Sequence, residues 1–272
     1  MRGQPLAIDL FCGLGGWTEG LLAEGYFVVG FDIEQQIYGE HRYPGHLIIQ
    51  DVLTLQGSQL KGAALIVASP PCQFFSYCAM PWARAKRLAA EVRADPARLE
   101  KELALFNACF RIQREACEAT GRHIPTVVEN VRGAQPWVGR ARWSFGSFYL
   151  WGDVPALMPA ALGRKNDGGF WFAVAHNSTS GHSQNPDGRK LPGFRFDGSG
   201  KSFQSAAVAA EGRKGTGSGS GAEWFDANLC KLPSASPRRK QASAMIAKIP
   251  LVLARHIGRA WLPHAEAMAE AR

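Results

Sequence analysis

A chain of 272 residues, 46% hydrophobic and 20% charged, has the size and composition of a globular protein with a full core. No apolar run approaches the ~20 residues that span a bilayer, and MRGQPLAIDLF runs into a strand-like segment with no signal-peptide pattern, so no membrane partner and a cytoplasmic location are expected. The net charge of +8 points to a polyanionic partner, while the 6 cysteines form no C-x-x-C pair and no H-E-x-x-H is present, so no metal site is signalled.

The first elements follow one another closely. LAIDLF (6–11) reads as a strand, GLGG as a turn, WTEGLLAEG as a helix stopped at Gly25, and YFVVGFDIE (26–34) as a second strand. HLIIQDV (46–52), ALIVAS (64–69) and TVVEN (126–130) are further strand-length apolar runs. Asp95-Pro96 opens a helix that presents Leu99, Leu103, Phe106, Phe110 and Ile112 on one face and stops at Gly121. Strands alternating with helices predict an α/β fold with a doubly wound, mostly parallel sheet.

Beyond about residue 152 the composition turns to Gly, Ser, Asn, Lys and Arg, with EGRKGTGSGSGAE as a low-complexity stretch. Regular structure is expected again from Pro237 in SPRRKQASAMIAKIPLVLARHIGRAW, broken at Pro250, with HAEAMAEAR as an exposed helical end.

Two groups of residues carry chemistry. The glycines of DLFCGLGG either bring backbone close to a ligand at the carboxyl end of the sheet or simply make a tight β–α turn. Their spacing is not that of a dinucleotide fingerprint. Asp32, with Glu34 as the second choice, ends the second strand where a ribose diol is bound in such folds, and Asp51 can accept from an exocyclic amine. The fourth strand delivers Ser69-Pro70-Pro71-Cys72-Gln73, whose two prolines restrict the backbone that presents the thiol. The fifth brings Glu129-Asn130 to the same edge. A thiolate that adds to carbon 6 of cytosine, with a carboxyl at ring nitrogen 3, makes carbon 5 nucleophilic. The base must leave the duplex for this to happen.

In the order DLFCGLGG, SPPCQ and VVENV, the sequence resembles the DNA (cytosine-5) methyltransferases, and 145–155 with 236–250 resemble a compact, phage-associated subgroup. The resemblance implies a Rossmann-like catalytic and cofactor-binding domain over 1–152, a target-recognition region over 153–236, and a C-terminal helical segment, 237–272, returning to the first. It implies S-adenosylmethionine as cofactor, held by Phe11, Gly13, Gly15, Asp32, Ile33, Asp51, Val52 and Pro71, with Phe11 on the adenine. Cys72 would be the nucleophile and Glu129 the acid. Gln73, Ser76 and Asn130 would serve the substrate, Asn130 by fixing the nucleophile's loop.

Two of the family's motifs are altered. The Gln-x-Arg-x-Arg signature is matched only by Gln135 with displaced Arg140 and Arg142, which either reach the substrate base or contact phosphate. The closing Gly-Asn-x-Val-Pro is reduced to Ile246-Ala-Lys-Ile-Pro250. Trp171, Phe172, His176, His182, Arg189, Arg195 and Lys201 are available for groove or phosphate contacts, the alternative being a disordered insertion, which applies best to 211–222. Arg84, Lys86, Arg87 and Arg93 after Cys72 suit a segment closing over a flipped nucleotide, or a solvated basic face. Double-stranded DNA is the expected partner, and a restriction endonuclease is a second candidate. The alternatives are the same chemistry on tRNA, and a non-catalytic DNA-binding relative.

Overall fold

The structure is a computed structural model that describes residues 3–76, 82–145, 148–158 and 236–270. Along the chain, β1 (Leu6–Leu10), α1 (Gly16–Ala23) and β2 (Phe27–Asp32) are followed by the two-residue strands β3 (Ile37–Tyr38) and β4 (His41–Arg42) and by β5 (His46–Ile49). Next come β6 (Leu65–Ala68), α2 (Trp82–Ala94), α3 (Pro96–Thr120) and β7 (Thr126–Asn130). The other described elements used below are α4 (Gln135–Val138), β8 (Trp143–Phe145), β9 (Phe148–Gly152), α5 (Pro237–Ala247) and α6 (Leu251–Glu270).

The main sheet has 7 strands in the order β5-β2-β1-β6-β7-β9-β8. The run from β5 to β7 is parallel, and β9 pairs antiparallel with both β7 and β8. Strand order reverses beside β1, which opens a crevice there at the carboxyl edge of the sheet. The predicted doubly wound α/β fold is what the chain adopts.

Central strands are apolar throughout because both faces of the sheet are covered. In β6, Ile66 and Ala68 enter a core with Phe106, Cys109 and Ile112 of α3. Leu65 and Val67 enter the opposite core, with Trp17 and Leu21 of α1 and Leu253 and Ile257 of α6. Each fully buried Leu, Ile or Val of this kind contributes roughly 1.5–3 kcal/mol.

Local signals set the ends of α3. The Asp95 side chain accepts from Arg98 N, Pro96 occupies the first turn, and Gly121 closes the helix in the left-handed region at φ 67. The expected break near Pro250 is also seen, α5 ending at Ala247 and α6 starting at Leu251. The expected exposed end is helical through Glu270, but Ala265 is buried in the core and Pro263 lies inside the helix. Between β2 and β5 the crossover carries the β3–β4 pair instead of a helix.

The chain divides into two compact units. The first comprises residues 1–76, 88–160 and 248–272, and includes the sheet and α6. The second comprises 77–87 and 161–247, and its described parts include α5.

Candidate active site

The turn after β1 is built on left-handed backbone. Phe11 has φ 58, Gly13 φ 49 and Gly15 φ 76. For a phenylalanine this conformation costs of order 1–3 kcal/mol, so the surrounding structure must impose it. Asp32 helps to do so. Its Oδ2 accepts from Gly13 N at 2.9 Å and its Oδ1 from Ile33 N at 2.8 Å, joining the glycine turn to the end of β2.

The glycines have different reasons to be there. A Cβ on Gly15 would fall 2.4 Å from Pro44 Cδ, and one on Gly16 2.4 Å from the Ile249 nitrogen. Gly15 N is already committed to Cys12 O at 2.7 Å. A Cβ on Gly13 would face space, meeting nothing nearer than the Gln36 amide at 3.9 Å. Close approach by a ligand is therefore open at Gly13, whereas Gly15 is required by packing inside the chain.

Asp51 Oδ1 accepts from Leu53 N at 2.9 Å and caps a 3-10 turn over Val52–Thr54. That turn is held to α3 by Arg111, whose guanidinium donates to Leu55 O at 3.0 Å and to Glu115 Oε1 at 2.8 Å. Val52 is buried in the core, whereas Ile33 is 67% exposed beside Asp32 and Pro71 is also exposed.

Asp9 lies beneath the turn and was not singled out in the sequence. It is buried, accepts from Thr18 Oγ1 at 2.6 Å, and leaves Oδ1 with no partner. Thr18 Oγ1 is also 2.7 Å from the buried Tyr43 hydroxyl. Burial, opposed by the Thr18 hydrogen bond, pushes the Asp9 carboxyl up to about 7. The available signal was an acid inside the otherwise apolar LAIDL.

At the other side of the crevice, β6 and β7 are adjacent and parallel, with Ala68 level with Val128. Extending that register brings the Ser69–Cys72 segment and Glu129-Asn130 to one edge. Asn130 Nδ2 donates to Pro70 O at 2.9 Å, and its Oδ1 accepts from Val131 N at 2.9 Å. Ser69 N donates to Leu10 O at 3.2 Å, and Ser69 Oγ accepts from Trp17 Nε1 at 2.9 Å. After Cys72 the chain turns, Phe75 N at 3.0 Å and Ser76 Oγ at 2.8 Å both donating to its carbonyl. Phe75 anchors this turn in the core against Phe106. Cys72 is half-buried, Gln73 exposed, and Glu129 9% exposed.

With this geometry in view, the family comparison covers the N-terminal part of the chain. Residues 6–84 match the C-5 cytosine-specific DNA methylase family. The matched span runs from β1 through Cys72 and includes Phe11, Asp32 and Asp51, while Glu129 and Asn130 lie beyond it. No curated protein matches the chain.

Three solved structures are similar over about half of the chain. An E. coli prophage protein described as a DNA modification methyltransferase is 24% identical, covering 48% of this chain and 33% of its own, with TM-score 0.32. The S. pombe Dnmt2 methyltransferase is 15% identical, covering 50% and 37%, with TM-score 0.31. The Entamoeba histolytica methyltransferase EhMeth is 18% identical, covering 51% and 41%, with TM-score 0.35. The chain spans less than half the length of each of these proteins.

Beyond the C-5 cytosine-specific DNA methylase match, Arg140 and Arg142 are both exposed, and Arg142 N donates to Leu150 O at 2.8 Å. Gln135 Oε1 accepts from Ala141 N at 3.1 Å and so shapes the loop that carries them. Trp137 was also not singled out. Its ring lies 5.6 Å from Phe74 in the Cys72 turn and carries the Arg93 guanidinium at 5.5 Å. Arg84, Lys86, Arg87 and Arg93 are exposed on α2. Cys78, Cys230 and the aromatic and basic residues named between 171 and 201 lie outside the described residues. Among the described residues no His, Cys, Asp and Glu cluster could hold a metal, and no helix is long and apolar enough to cross a membrane.

Proposed function

We propose that the chain methylates carbon 5 of a flipped-out cytosine in double-stranded DNA, with Cys72 as nucleophile and S-adenosylmethionine as methyl donor. The observation that carries this reading is the delivery of Cys72 and Glu129 from adjacent parallel strands to one edge, the Cys72 loop being tied to β7 by Asn130. The family match over residues 6–84 supports it. The net charge of +8 favours a polyanionic substrate.

The cofactor crevice fits this donor. Gly13 leaves room for close approach, and each Asp32 oxygen that accepts one backbone N–H retains a lone pair for a ribose hydroxyl. Ile33 and Phe11 would offer apolar surface for a purine, and Asp51 would accept from its amino group. When bound, S-adenosylmethionine would supply an electrophilic methyl group for carbon 5.

The chain's own residues do the rest. The Cys72 thiolate adds to carbon 6 as Glu129 stabilises the ring through nitrogen 3, so the electron pair of the 5,6 double bond becomes available at carbon 5. Once carbon 5 is methylated, loss of its proton returns electrons to the ring and expels Cys72 as the thiolate. Duplex DNA shields carbon 6, so the base must first leave the stack.

The test is transfer of labelled methyl to duplex DNA and to tRNA, with Cys72→Ser in parallel. Label on DNA that disappears in the variant is expected. Label on tRNA alone would move the substrate to RNA, and transfer surviving Cys72→Ser would remove the nucleophile assignment.

A further inference from the structure

One hydrogen bond links the helix that begins at the glycine turn to the segment that carries the nucleophile. Trp17, the second residue of α1, is 2% exposed, and its indole Nε1 donates to Ser69 Oγ at 2.9 Å. Ser69 is followed directly by Pro70, Pro71 and Cys72. Each proline fixes its own φ, so few free torsions separate the Ser69 anchor from the thiol. On the other side, the Pro70 carbonyl is held by Asn130.

We propose that Trp17 is a positioning residue for Cys72, acting through the Ser69 hydroxyl, and that this couples the cofactor-side helix to the nucleophile's loop. The inference rests on the reading of Cys72 as the reactive thiol. Packing alone does not require the bond, because a phenylalanine would fill most of the indole's volume. The N–H, once buried, needs an acceptor, and Ser69 supplies it from the one segment whose orientation matters for the chemistry. Thr18, the next residue of the same helix, donates to Asp9 beneath the turn, so this end of α1 is tied to both sides of the crevice.

The thiol itself reports on this without any substrate. Iodoacetamide alkylation of the full chain, read peptide by peptide by mass spectrometry, is compared for Trp17→Phe, Ser69→Ala, the double variant and Ser69→Thr. A half-buried Cys72 reacts through local opening of its loop, so loss of one buried hydrogen bond is expected to speed its alkylation about fivefold. The double variant should be no faster than either single one, and Ser69→Thr, which keeps the hydroxyl, should react as the parent does. Cys109, 0% exposed on α3, should not change.

A parallel rise at Cys109 would mean general loosening and would overturn the proposal. So would an unchanged Cys72, or single effects that multiply in the double variant. If no nucleic acid accepts a methyl group, the functional reading fails while the alkylation result still decides the coupling.

Discussion

Asn130, the last residue of β7, donates from Nδ2 to the carbonyl of Pro70 at 2.9 Å and stitches the Cys72 loop to the neighbouring strand. The same side chain accepts from Val131 N at 2.9 Å, so both ends of the amide are committed. Its orientation is thereby fixed, and it is 1% exposed.

Asn130→Ala should therefore leave a buried carbonyl and a partly buried N–H without partners. A loss of about 1–3 kcal/mol of stability is expected, measured by urea denaturation. Methyl transfer should fall further than stability does, because the freed loop carries Cys72. Asn130→Asp should be no better, since it places a carboxylate oxygen against the Pro70 carbonyl. Activity retained in both variants would show that the stitch does not orient the thiol.

Asp32→Asn tests the proposed cofactor crevice. The carboxylate accepts from Gly13 N and Ile33 N through different oxygens, and the amide offers only one acceptor. Its NH2 must face a backbone donor, which opens the glycine turn. Affinity for S-adenosylhomocysteine, by calorimetry, is expected to fall at least about tenfold, the worth of a charge-assisted hydrogen bond. Unchanged affinity would remove Asp32 from the crevice.

Much of the fold was legible where the signal is local. Asp95, Pro96 and Gly121 bracket α3, and TVVEN forms the strand Thr126–Asn130, because caps and apolar runs act within a few residues. What the sequence could not show depends on partners far along the chain. Trp17 meets Ser69 across 52 positions and Gln113 meets Asp153 across 40. Asp32 was legible as an acid at a strand end, but its ties to the glycine turn depend on the backbone twisting at Phe11. Arg140 and Arg142 were named from an altered motif, and the structure leaves both at the surface.

Gly20→Ala bears on the packing of α6 against α1. A Cβ there would fall 2.4 Å from Ala254 Cβ and 2.6 Å from the Arg255 nitrogen, which is backbone and cannot swing aside. Overpacking of about 1–3 kcal/mol is expected from chemical denaturation, despite alanine's better helix propensity. The displaced helix should also loosen the Glu24 pairs with Arg255 at 2.6 Å and Arg259 at 2.9 Å. Gly25→Ala is the contrast. Its φ of 92 strains any side chain but nothing lies within 4 Å, so only the backbone cost of about 1 kcal/mol should appear.

Asp9→Asn tests the buried carboxyl. Burial raises the Asp9 pKa in the folded chain to about 7, above the ordinary carboxylate value of 3.8 that it regains on unfolding. Between those values the folded state keeps a proton that the unfolded state releases, so stability falls as pH rises through the window and levels off above it. The full effect is at most about 4 kcal/mol, at 1.36 kcal/mol per unit. Asparagine keeps the shape and an acceptor for Thr18 but cannot ionise. Its stability should therefore decline less than the parent's from pH 4 to pH 8, and the two denaturation curves should separate most at the alkaline end. Parallel pH profiles for parent and variant would show that Asp9 is not the titrating group beneath the glycine turn.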